Sequence, residues 1–233
     1  LLDHLGLNLL PEQRVLERTR ELQQQVSYIQ LLRTVAALAN ETLPGSTDGS
    51  YTDVPGDKGG PTKWGLSLHR FWLGQDPDDF PHLAVALSFE PPETAEQVRA
   101  LTQAQAEETY RKCWWERFGY GRVDDQRCAT KVFDMAVNTR RPVAHQLAQR
   151  AANDCGAALS VDGIFGERTV EAINMTDSSE YLAALCHEHL AYYQVLIRKH
   201  PEYEKFKRGW FARASWPLGP PPAGVPASTR SST

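Results

Sequence analysis

Apolar residues recur at three- and four-residue steps along most of this chain, and the places where they stop divide it. Leu16, Leu22, Val26, Ile29, Leu32, Val35, Ala36 and Leu38 keep that spacing, which is the mark of one helix face. Pro11 suits a first helical turn, and Pro44-Gly45-Ser46 ends the pattern, so helix is predicted over residues 11–41. The run is long for a globular helix. It reads either as one helix or as two with a break near 23–27, the more polar first half forming an accessory arm.

The helical pattern returns later. Thr102-Gln103-Ala104-Gln105 has capping-box form and opens a helix predicted through 115. Val132, Met135, Ala136, Val143, Leu147 and Ala151 predict helix over 125–153. A turn at 161–166 precedes a short helix at 167–173, and a long helix is predicted over 179–199. Residues 48–67 break this rhythm. Pro55-Gly56 and Gly59-Gly60-Pro61 are turn chemistry, and Tyr51-Thr52 and Thr62-Lys63-Trp64 are short β-prone pieces. An irregular hairpin or a two-to-three-stranded sheet is predicted there, with Ser67 as the N-cap of the next helix. Residues 75–92 read as loop. From Trp216 on, Pro, Gly, Ser and Thr dominate, too polar to fold alone. The fold class is α+β, mainly helical, with one small β element early in the chain.

Composition narrows the picture. With 233 residues, 41% of them hydrophobic, the chain can bury a sizeable core. Its net charge is -4 and its Lys and Arg residues form no long block, so no nucleic-acid groove is expected. No apolar run approaches the ~20 residues needed to span a bilayer, so no stable membrane insertion is expected. Cys113, Cys128, Cys155 and Cys186 have neither CxxC nor zinc-finger spacing. They read as buried thiols, with a disulfide open if the protein works outside the cytoplasm. The chain begins without Met and shows no leader pattern, so the expectation is an excised or processed piece.

The carboxylates of residues 41–57 bear on chemistry. Acid hydrolysis of a glycosidic bond takes one carboxylic acid held protonated and a second held ionised, and hence two different environments. Glu41 closes the apolar helical run, where burial raises a carboxyl pKa. Asp57 lies in a polar, Gly-rich turn with backbone N–H groups to keep it charged. Thr62, five positions on, has a hydroxyl to hold a water, and Asp53 reads as a turn carboxylate. Tyr51 and Trp64 either stack on sugar faces or pack in the core. Trp114-Trp115 reads as one core face and one rim contact, and Asp162-Gly163-Ile164-Phe165-Gly166 either as a stretch that helps bind glycan or stem peptide or, as the turn role of glycine favours, as a tight turn that pins two helices with Phe165 inside. His187-Glu188-His189 does not put both imidazoles on one helix face, so no metal is expected.

The run from Tyr51 to Ser67, TDVPGDKGGPTKWGL between them, resembles the hallmark of the glycoside hydrolase 108 family, a pattern of the form EGGYxNDPxDPGGxTxxGI that follows a helix. The resemblance extends through 110–115 and 132–138 and into 162–169, which is similar to the family's C-terminal peptidoglycan-binding region. It covers roughly residues 35–212. It implies a lysozyme-like fold with the hairpin beside the active site, no cofactor, and N-acetylmuramidase activity. The bond cut would be the β-1,4 link from N-acetylmuramic acid to N-acetylglucosamine, and the partner the glycan strands of peptidoglycan. Relatives include phage endolysins and bacterial proteins that open the wall for secretion. Action in the periplasm or wall is therefore expected, reached through a holin or a secretion system.

On this resemblance, residues 1–33 are an N-terminal helical extension and 34–212 a muramidase domain. Its part 124–212 resembles the peptidoglycan-binding helical lobe, and 213–233 is a Pro-rich tail. Glu41 is the general acid, Asp57 the base or electrostatic partner, and Thr62 the water holder, with Tyr51, Trp64 and Asn138 on substrate. Aligned without a gap, the family's catalytic glutamate falls on Asp48, an acid one methylene shorter and so farther from the leaving oxygen. With residues 42–48 as an extra loop, the acid is Glu41 at the end of a helix, and Pro44 and Gly45 favour that version. Arg140 and Arg141 stand where relatives carry small or Gly-rich residues and face either water or stem-peptide carboxylates. Two other readings are a secreted antibacterial toxin domain with a cognate immunity protein, and a peptidoglycan-binding module that has lost its acid.

Overall fold

The computed structural model describes residues 50–55, 57–74 and 81–216. The helix expected over 11–41, the two acids Glu41 and Asp48, and the tail from 217 lie outside the described residues.

The β element is a hairpin of two-residue strands, β1 (Thr62–Lys63) and β2 (Leu66–Ser67), with Thr62 opposite Ser67 and Lys63 opposite Leu66. Trp64 and Gly65 join them with φ of 56° and 77°, both positive, as a tight two-residue hairpin turn requires. A tryptophan is costly in that region of backbone space, and two long-range hydrogen bonds hold it there. Its indole N–H donates to the Leu101 carbonyl at 3.2 Å, and its own carbonyl accepts from the Tyr110 hydroxyl at 2.9 Å. Thr52 adds an isolated antiparallel bridge, exchanging backbone bonds of 2.9 and 2.8 Å with Thr62. A π-helical turn, Leu68–Trp72, follows. Ser67 precedes it as expected, but its side chain makes no capping bond.

Helices build the rest. Two short ones, α1 (Ala95–Ala100) and α2 (Gln103–Tyr110), each begin with a complete capping box, Thr94 with Gln97 and Thr102 with Gln105. Each box satisfies two otherwise orphaned N–H groups. The first of these helices went unread in the sequence because it is only six residues long. α2 runs on as a π-helical stretch, Arg111–Glu116. Then come α3 (Gln126–Thr139), α4 (Arg141–Asp154), α5 (Glu167–Asn174), α6 (Ser178–Lys199) and α7 (Lys207–Ser215).

The single helix expected over 125–153 is two. Arg140 sits between them at φ 87° and ψ 134°, outside the helical region, and the chain turns there. Pro142, which lacks an N–H to continue a ladder, lies in the first turn of α4, where that loss costs nothing. A second correction concerns the tail. Arg213 to Ser215 are the last turn of α7 rather than tail, with Ala214 and Ser215 buried. The buried Lys131 ammonium donates to the carbonyls of Arg213 and Ala214 at 2.7 and 3.0 Å.

One apolar cluster runs from Leu66 and Phe71 through Trp114, Tyr120, Phe133 and Leu147 to Phe165 and Leu185. It is fed by α3 on α4 and α6, and by α4 on α6. Each such side chain contributes about 2 kcal/mol on burial. The turn at 161–166 has the structural role expected. Gln149 donates to Asp162 Oδ1 (2.7 Å) and to the Ile164 carbonyl (3.1 Å) and accepts from the Gly163 N–H (2.9 Å). Phe165 is buried against Tyr120 and His145.

Candidate active site

The loop from Asp53 to Pro61 closes on itself through backbone bonds from Asp57 N to the Val54 carbonyl (3.0 Å) and from Gly60 N to the Asp57 carbonyl (3.1 Å). Asp57 Oδ1 accepts the Gly59 N–H at 2.9 Å. The side chain is thus aimed by the turn it sits in while remaining exposed to solvent. A side chain at Gly59 would start 3.4 Å from Asp57 Oδ1, 3.4 Å from Arg70 Cδ and 3.6 Å from Ser67 Cβ. Asp57 therefore stands beside the start of the π-helical turn. Gly60, at φ 69°, lies under the His69 ring, where even a Cβ would come within 2.6 Å of Nδ1. Gly60 is what lets the turn lie against this ring.

Ser67, His69 and Arg70 form one lip of a cleft of about 610 Å³. Its wall is aromatic. Phe71 and Trp114 stack with centroids 5.2 Å apart at 19°, each supplied by one of the two π-helical segments. Such segments recur at functional sites because the extra residue redirects a side chain. Tyr110 and Phe118 extend the wall. Burial holds the Tyr110 phenol protonated, and its O–H is spent on the Trp64 carbonyl. The opposite lip is the end of α3 and the start of α4: Ala136, Val137, Asn138, Arg140 and Arg141.

The residues singled out in the sequence separate here. Asn138 lines the cleft. Its Nδ2 donates to the Asp134 carbonyl (2.7 Å) and to Asp134 Oδ1 (3.2 Å), so its orientation is fixed from behind. Asp57 flanks the lip through Arg70 and Ser67. Thr62, on β1, donates its hydroxyl to the Gly60 carbonyl at 2.9 Å, which leaves the oxygen's lone pairs to accept. Tyr51 and Trp64 are not among the cleft residues. The Arg99 guanidinium covers the Tyr51 ring at 3.9 Å, and both rings pack against the core. The aromatic residues that do line the cleft are Phe71, Tyr110, Trp114 and Phe118. Trp114 is the cleft member of its pair, while Trp115 packs inward on Phe133. Arg140 and Arg141 border the cleft. The signal that could have found this wall is the helical spacing of Tyr110, Trp114 and Phe118, which puts three rings on one face.

Two stretches of the chain resemble known families. Residues 45–139 match the family described as Glycosyl hydrolase 108, and residues 143–215 match the one described as Predicted Peptidoglycan domain. The border between the matches falls at the α3–α4 corner. No curated protein sequence matches this one. A solved structure of Brucella abortus SagA is similar in fold, with a TM-score of 0.56 and 20% identity over 82% of this chain and 91% of that one. The fold is thus the lysozyme-like α+β arrangement, mostly helical with its small antiparallel hairpin. The chain accordingly carries a match to glycosyl hydrolase 108 that runs directly into a match to a peptidoglycan domain, and the two together mark it as a peptidoglycan hydrolase.

Proposed function

We propose that the chain is an N-acetylmuramidase of the lysozyme type, which cuts the β-1,4 bond between N-acetylmuramic acid and N-acetylglucosamine. The observation that carries this reading is the open cleft with a stacked aromatic wall and the Asp57 turn at its lip. Sugar rings present apolar C–H faces that suit such a wall. In this reading Glu41 protonates the leaving oxygen, with Asp48 as the alternative acid, and Asp57 acts as base or electrostatic partner. Thr62 accepts a hydrogen bond from the attacking water through the lone pairs its Gly60 contact leaves open. Asn138, held by Asp134, offers its amide oxygen to substrate. Tyr51 and Trp64 are assigned to anchoring the hairpin.

The test is mass spectrometry of digested sacculi. Disaccharide peptides that end in reducing N-acetylmuramic acid are expected. Reducing N-acetylglucosamine or 1,6-anhydro ends would overturn the bond assignment. Glu41→Gln, Asp48→Asn and Asp57→Asn then sort the acids. Loss of at least ~100-fold in rate is expected for Asp57→Asn and for one of the other two, the size usual for a general acid or base. Action at the cell wall follows from the peptidoglycan domain, and we place delivery there with a holin or a secretion system. The toxin version and the binding-only version are less favoured, because the chain carries a hydrolase family match together with the peptidoglycan one. No helix among the described residues is long and apolar enough to cross a membrane.

A further inference from the structure

We infer that the cleft holds an anion subsite beside its sugar wall. This subsite takes the free carboxylates of the peptide stem, so that the preferred substrate is peptidoglycan whose stems still carry them. The inference rests on the muramidase reading for the placement of the glycan, and on the following features for the charge.

Arg70, Arg140 and Arg141 border the cleft together with His69, and none of its described lining residues is Asp or Glu. The chain as a whole is net negative at -4, so this concentration of guanidinium runs against the overall balance. Arginine presents a planar fork of donors that matches a carboxylate in two parallel hydrogen bonds. The cations are arranged on both lips: Arg70 on the π-helical turn after the hairpin, Arg140 and Arg141 at the α3–α4 corner. The sugar wall of Phe71 and Trp114 lies in the same cleft. A strand laid on that wall would direct its stem peptide over one lip or the other.

Two details show how the arginines are set. The Arg141 guanidinium lies 5.3 Å from the Phe118 ring centroid, and Arg117 lies 5.1 Å from the same ring. Phe118 is thereby a platform that fixes a guanidinium at the cleft edge. Arg140 is held at φ 87°, where glycine would sit without strain, and it delivers a cation to the lip from that position. The N-terminal end of α4 meets the cleft at the same corner with no side chain capping it, and its dipole adds to the positive potential.

The experiment uses the full chain with two substrates, native sacculi and sacculi whose stem carboxylates have been capped as methylamides. Capping keeps the peptide and removes the charge. Co-sedimentation and reducing-end release are measured on both. The wild-type protein is expected to prefer native sacculi by about tenfold or more in each assay, the scale of one or two charge-assisted contacts. The preference should shrink as ionic strength rises. In Arg140→Gln/Arg141→Gln, and separately in Arg70→Gln, the ratio of native to capped should fall toward one. Arg140→Lys/Arg141→Lys should recover part of it. A wild type that treats both substrates alike, or Gln variants that keep the full preference, would overturn the inference. Absence of reducing ends from native sacculi would sink the muramidase reading alone, because the co-sedimentation ratio still decides the anion subsite.

Discussion

Arg213 Nε donates to Asp134 Oδ1 at 3.1 Å, with the two side chains 18% and 4% exposed. Asp134 lies in the glycosyl hydrolase match and Arg213 in the peptidoglycan match. The same Asp134 oxygen accepts from Asn138 Nδ2, so an arginine on α7 helps orient an amide at the cleft. Asp134→Asn and Arg213→Gln each leave one charge buried without its partner, which costs about 3 kcal/mol. Chemical denaturation is expected to show losses of that size. In the double variant the two losses should sum to less than their total, and full additivity would mean the pair is not coupled.

Gly60→Ala tests the flat turn beneath His69. The backbone is left-handed there and the added methyl meets the imidazole. The strain of the region alone is about 1–2 kcal/mol, and the His69 ring must move. Reduced thermal stability and reduced sacculus cleavage are expected together. Gly156→Ala is the control, since it shares the positive φ but has open space around it. It should cost stability while leaving cleavage alone.

Arg140→Gly should have the opposite sign in stability. It releases strain of about 1–3 kcal/mol against an entropy penalty of roughly 0.5–1 kcal/mol for glycine. A net gain of about 1 kcal/mol is expected in the denaturation midpoint, with native sacculi cut more slowly. A variant both less stable and equally active would contradict both halves.

His145 sets a pH dependence. It is 1% exposed, its Nε2 is 2.7 Å from the Tyr120 hydroxyl, and its Nδ1 is 3.1 Å from the Gly163 carbonyl. Those partners fit a neutral ring that donates from Nδ1 and accepts at Nε2. Burial pushes its pKa down to about 4 from the usual 6.5. The unfolded chain therefore binds the proton first as pH falls. The stabilisation is complete above about pH 6.5 and is lost between there and pH 4, at up to ~1.4 kcal/mol per pH unit. Urea titrations across that window should show the slope, and His145→Gln should flatten it in part. The buried His189, also pushed down by burial, contributes a slope of the same sign.

The thiols are expected to be unequal. Cys113 and Cys128 are buried and pushed up to about 12, and Cys186 is buried as well. Cys155 is the half-buried one. Maleimide labelling of the native protein should mark Cys155 alone, with the other three reacting after denaturation. Rapid native labelling of Cys128 would contradict its packing.

Much of this architecture was legible from residue spacing. Periodic apolar residues marked α4 and α6 because each buries one continuous face. The capping box at Thr102 was legible because it is a local hydrogen-bond exchange. The Pro- and Gly-rich run before Thr62 announced the hairpin because its turns demand those residues. The α3–α4 break was not legible, since an arginine at φ 87° is supported by its tertiary setting and not by its own preference. The pairing of Phe71 with Trp114 in the cleft wall was hidden for a related reason. Phe71 and Trp114 are 43 positions apart and meet only when two π-helical segments face each other. Tyr51 and Trp64, the more conspicuous aromatics beside the acid-rich loop, lie outside that wall, one under Arg99 and the other bonded to Leu101.

The buried Lys131 has a practical consequence for anyone wishing to exchange the wall-recognising part of this enzyme. The three residues between the family matches invite a cut. Yet an ammonium from the front part serves as the end-cap of the final helix of the back part. A graft made at that border inherits a stranded cation in one half and two bare carbonyls in the other. Transplants should therefore carry α3 along with the helices behind it, moving the seam upstream to the loop before Gln126.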